Sequence, residues 1–71
     1  LGDEFEHAVR AALSDVKDWP QAWSPLGDGF RQRRVRRFPY GVVYCLEDGE
    51  ILVVAVRHFS RKPDYWRDRM S

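Results

Sequence analysis

With 71 residues, 44% of them hydrophobic and 14% aromatic, the chain has room for a single domain, residues 1–71, near the lower size limit for a self-sufficient core, and its composition excludes a disordered polymer. The formal net charge of +1 conceals opposed blocks: −3 over residues 1–18, +5 over 31–37, −3 over 47–50 and +3 over 57–69. A lone cysteine, Cys45, excludes an intrachain disulfide and fits a reducing cytoplasm, and the longest apolar run, residues 51–56, is far too short to span a membrane.

Residues 1–18 read as a helix, because Leu1, Phe5, Ala8, Val9, Ala12, Leu13 and Val16 recur at helical spacing and form one apolar stripe. Asp3 and Glu6 are spaced as a capping box, and early carboxylates complement the positive end of the helix dipole. Trp19-Pro20 stops the helix, since a residue before proline is biased away from helical geometry. Two prolines, two glycines and Asp28 then predict a loop over 20–29, anchored to the core by Trp23 and Leu26. Within it, Gly27-Asp-Gly29 is too short for a phosphate loop and reads as a turn.

Beyond the loop the period changes to two, which predicts strands over 30–38, 41–47 and 50–57. Asp48-Gly49 is a two-residue hairpin signal, because a type I′ turn needs positive φ at both central positions. That turn predicts a register in which Leu46 opposes Ile51, Tyr44 opposes Val53 and Val42 opposes Ala55 on one face. Cys45 with Leu52 and Val43 with Val54 share the other. Both faces are apolar, and one helix covers only one of them. A further N-terminal segment, a second chain in a homo-oligomer, or a folded-on partner is therefore expected to cover the rest. The start at Leu1 rather than Met suits an N-terminally incomplete product. Pro63 is placed to open a short terminal helix over 63–70.

The arginine run Arg31-Gln-Arg-Arg-Val-Arg-Arg37 places Arg31, Arg33 and Arg37 on one face of its strand and Arg34 and Arg36 on the other. Two readings stand side by side. Such a strand can be a solvated edge, charged against edge-to-edge pairing. Alternatively it is a surface for phosphates or an acidic partner, since the guanidinium fork binds either anion bidentately. A second basic group, Arg57, Arg61 and Lys62, follows the last strand, and an antiparallel sheet would bring it near Tyr40, His58 and Tyr65. His7, His58 and Cys45 have no metal-ligand spacing, so neither a metal nor another cofactor is expected. Nothing beside Cys45 marks it as a nucleophile. Metal-free RNA cleavage, in which the 2′-hydroxyl attacks the adjacent phosphate, needs a base, an acid and cations, and His58, Tyr65 and the arginines are chemically adequate.

Arg36-Arg-Phe-Pro-Tyr-Gly-Val-Val-Tyr44, then Asp48-Gly49, Val53-Val-Ala-Val-Arg-His58 and Pro63-Asp-Tyr-Trp66, resemble the C-terminal part of the RelE/ParE superfamily, the toxins of bacterial type II toxin–antitoxin modules. The resemblance implies an α+β fold, with an N-terminal helix on a twisted antiparallel sheet of about three strands, and an upstream strand and helix that this chain lacks. It implies a cytoplasmic toxin held by a cognate antitoxin whose acidic segment crosses the basic surface. It implies one of two targets: messenger RNA on the ribosome, cut by RelE-like endoribonucleases, or DNA gyrase, inhibited without catalysis by ParE-like members. A degenerate, non-toxic remnant that still binds antitoxin is the third alternative. Under the nuclease reading, which is placed first, His58, Tyr65 and Arg61 are the expected catalytic residues, and Arg31, Arg33, Arg34, Arg36, Arg37, Arg57 and Lys62 bind nucleic acid or antitoxin. One departure counts against it: the residue after Tyr40, often arginine in RelE-like enzymes, is Gly41.

Overall fold

The computed structural model describes residues 2–60. Leu1, Arg61, Lys62, Tyr65 and the helix expected over 63–70 lie outside them. One helix, α1 (Gly2–Asp18), precedes a four-stranded antiparallel sheet in chain order: β1 (Ser24–Gly27), β2 (Phe30–Arg34), β3 (Tyr40–Glu47) and β4 (Glu50–His58). This is the α+β class expected, with one strand more.

The apolar stripe of α1 buries Ala12 and Val16. Ala12 joins Val35 and Val42 in the core, with Phe5, Ala8, Val9, Leu13, Phe38 and Tyr40 packed around them. Phe5 meets the rings of Phe38 and Tyr40 edge to face, at centroid distances of 5.1 and 5.0 Å, an arrangement favoured by the ring quadrupoles. Asp3 sits inside the first helical turn beside Glu4 rather than capping it, because the helix already begins at Gly2. At the other end Trp19 N–H donates to the Asp15 carbonyl (2.9 Å), and Trp23 Nε1 donates to the same oxygen (3.1 Å). Trp23 thus anchors the following segment, and Tyr44 Oη reaches the Pro20 carbonyl at 2.6 Å.

The expected loop over 20–29 contains β1, which pairs with β2 through Ser24↔Gln32, Pro25↔Arg31 and Gly27↔Phe30. The turn chemistry explains it: Asp28 and Gly29 both have positive φ, 55° and 85°, as do Asp48 and Gly49, 54° and 80°. Each Asp-Gly pair closes a two-residue hairpin. Consequently the arginine strand is not an edge; β2 lies between β1 and β3, and β1 and β4 are the edges among the described residues. It is also shorter than expected. β2 ends at Arg34, and Val35 to Phe38 form a turn in which Phe38 N–H faces the Val35 carbonyl (3.4 Å) and Arg37 takes φ 69°.

In the β3–β4 hairpin, Leu46↔Ile51, Cys45↔Leu52 and Tyr44↔Val53 pair as expected, but Val43 pairs with Ala55 and Val42 with Val56. A bulge at Val54 shifts everything beyond it by one residue, which turn counting does not foresee. α1 packs over β2 and β3, and Leu46, Leu52, Val53 and Val56 remain about two-fifths exposed.

Candidate functional site

Pairing register separates the expected site residues between two faces, because neighbouring residues of a strand point opposite ways. Tyr40, Val42 and Tyr44 face α1, and their partners place Arg33, Arg31 and His58 on that same face. Gly41 is paired with Arg34 and Arg57, so these three share the far face with Gln32.

On the helix face the arginines are occupied. Arg33 donates to Asp15 Oδ2 through Nε (3.2 Å) and Nη2 (3.0 Å), and its guanidinium lies 4.0 Å from the Trp23 ring centroid. Arg31 Nη1 donates to the Trp23 carbonyl at 2.8 Å. Arg33 ties β2 to the C-terminal end of α1, and Arg31 ties it to the segment between α1 and β1. Burial pushes the Tyr44 phenol above its ordinary value, and the Arg31 charge opposes that shift. His58 stacks edge to face on Tyr40 (4.8 Å), and its Nδ1 lies 3.0 Å from Ser60 N and 2.6 Å from Ser60 Oγ.

On the far face Arg57 is buried, with Nη1 donating to Gln32 Oε1 at 2.7 Å. Its Nε has no hydrogen-bond partner among the described residues. Arg34 and Arg57 converge on Phe59, 5.0 and 5.4 Å from its ring centroid. The sequence reading missed Phe59 and Gln32, although Gln32 stands inside the arginine run. Gly41 is buried beneath Gln32: a Cβ there would meet the Gln32 side chain at 2.7 to 2.9 Å. Any side chain at position 41 displaces the amide that holds Arg57.

Arg36 and Arg37 belong to neither face. They are exposed on the β2–β3 turn and line an open groove of about 520 Å³ with Glu4, His7, Ala8 and Phe38. The single surface expected from the arginine run and Arg57 is therefore three separate environments.

A family model, the ParE toxin of the type II toxin–antitoxin system parDE, matches residues 2–63. The chain belongs to that family. No curated protein and no solved structure matches it. As a ParE-family chain it is the toxin of a type II toxin–antitoxin module, and a cognate antitoxin is its partner. Among the described residues of this ParE-family toxin, no group of acidic, histidine or cysteine side chains is placed to hold a metal ion. No helix there is long and apolar enough to cross a membrane. Burial, reinforced by Glu47, raises the Cys45 thiol above its ordinary value, which keeps it protonated and a poor nucleophile.

Proposed function

We propose that this ParE-family toxin arrests growth by docking on DNA gyrase, without cutting RNA itself. The observation that carries this reading concerns the described part of the expected machinery, since Arg61 and Tyr65 lie outside the described residues. His58 faces α1, whereas Arg34 and Arg57 sit on the opposite side of the sheet, and the arginines on the His58 side, Arg31 and Arg33, are engaged by Trp23 and Asp15. A proton-transferring group and the cations that stabilise charge on phosphorus must reach the same phosphate, and a sheet separates these.

Two further features support a binding role. Arg31, Arg33 and Arg57 are each held by an internal hydrogen bond, so their charge serves the fold first. Position 41, often arginine in RelE-like enzymes, is glycine here, and a side chain there would have to push aside the Gln32 amide that holds Arg57. The match to the ParE toxin family supports the reading only through the resemblance drawn from the sequence, which associates ParE-like members with gyrase.

Gyrase supercoiling measured with stoichiometric purified toxin tests the proposal, alongside messenger RNA integrity on programmed ribosomes. Loss of supercoiling with intact RNA is the expected result. Cleaved RNA with unimpaired gyrase would return the assignment to the nuclease.

A further inference from the structure

We infer that the Arg36–Arg37 turn and the groove beneath it form the surface with which the toxin grips its target, and that the occupant is an acidic protein segment carrying an apolar anchor residue. The inference rests on the binding role proposed above and goes beyond it in assigning the contact.

Backbone conformation gives the first argument. Arg37 adopts φ 69° at the third position of the turn, a left-handed geometry that glycine or asparagine normally supplies and that is costly for an arginine. Among the described residues its side chain has no partner: Arg36 and Arg37 are exposed, and neither forms a hydrogen bond or ion pair there. The turn is nevertheless fixed. Val35 is fully buried, its N–H donates to the Tyr40 carbonyl (2.8 Å), and Phe59 N–H donates to the Pro39 carbonyl (2.9 Å). Two guanidiniums on a rigid turn bind at less entropic cost than the same pair on a mobile loop.

The groove itself selects the class of anion. Ala8 and half-buried Phe38 give it apolar walls, His7 adds a polar ring, and Glu4 brings a carboxylate. Asp3 adds a further carboxylate on the same helical turn, whereas Glu6 is paired with Arg10 at 3.2 Å. The carboxylates repel any anion, but a nucleic acid, charged at every phosphate, cannot keep its charge away from them, whereas a peptide can confine its charge to the arginines. A peptide can place one or two carboxylates on Arg36 and Arg37 and lay an apolar side chain on Phe38. This groove is a small charged contact, unlike the exposed apolar side chains of Leu46 and Val53, which share one face near the opposite, β3–β4 end of the sheet. A tightly held partner that must bury a large apolar area is better served there.

The test uses the whole toxin carrying Arg36→Ala together with Arg37→Gly. Expected are at least a tenfold rise (roughly, from the loss of charge-assisted hydrogen bonds) in the concentration that inhibits gyrase and arrests growth, unchanged affinity for the cognate antitoxin, and no loss of thermal stability, since glycine relieves the left-handed strain. Inhibition at the wild-type concentration would overturn the inference. So would an equal loss of antitoxin affinity, which would assign the groove to the antitoxin, or binding of a double-stranded DNA oligonucleotide that the double substitution abolishes. If the wild-type toxin leaves gyrase untouched, the gyrase reading alone fails, and growth arrest by the variant still reports on the groove.

Discussion

Arg31 and Arg33 differ from Arg36 and Arg37 in almost everything except residue type. The first pair points from β2 toward α1, where one guanidinium meets the Trp23 carbonyl and the other meets Asp15 with Trp23 stacked against it. The second pair projects from a turn into solvent at the edge of a groove. Five positive charges in seven residues thus split into structural and available groups, and the split follows from what each backbone position faces. A partly buried guanidinium needs a partner because its desolvation is otherwise uncompensated. An exposed one keeps its hydration and remains free for a ligand. A count of arginines along a sequence therefore overstates the charge that a partner meets.

Substitutions graded along this division test it. The largest effect is expected on the far face, where Gln32→Ala strips buried Arg57 of its hydrogen-bond acceptor. The loss should be about 2–3 kcal/mol, the cost of leaving a buried charged donor unsatisfied, read from the urea midpoint at constant slope. An unchanged midpoint would mean that Arg57 finds another acceptor. An intermediate effect is expected for Arg33→Ala, whose ion pair with Asp15 is part-exposed. Solvent screening limits the pair, and with the lost Trp23 stacking the cost should be about 1 kcal/mol; a double-mutant cycle with Asp15→Ala would isolate the ion-pair share. The smallest effect belongs to Arg36→Ala, which should move stability by less than about 0.5 kcal/mol. A larger destabilisation would show that the turn arginine is structural after all and would erase the contrast.

The helix and the β3–β4 hairpin were legible because each rests on a local rule. Phe5, Val9, Ala12 and Val16 repeat with the helical period, and Asp48-Gly49 supplies the positive φ that a tight hairpin requires. The same rule was available at Asp28-Gly29, but the prolines around it made the segment read as loop, so β1 was missed and β2 was assigned to an edge. The Val54 bulge left no local signal. It places one unpaired residue of β4 between Val53 and Ala55, opposite Tyr44 and Val43. The candidate site was less legible still. The expected strand stopped at Arg57; because β4 in fact runs through His58, strand alternation sets the adjacent Arg57 and His58 on opposite faces, opposite Gly41 and Tyr40.

The separation of charge into blocks, the α+β class, the N-terminal helix with its apolar stripe, and the superfamily resemblance were all readable from residue order, because they depend on composition and on contacts between near neighbours. Which arginines are held and which are free depended on the assembled fold. Asp15 and Arg33 are 18 residues apart, and Gln32 and Arg57 are 25 apart. Such partners become neighbours when α1 lies on the sheet and β2 pairs with β3. Among the described residues that packing leaves Arg37 unmatched, on a turn with a costly backbone angle.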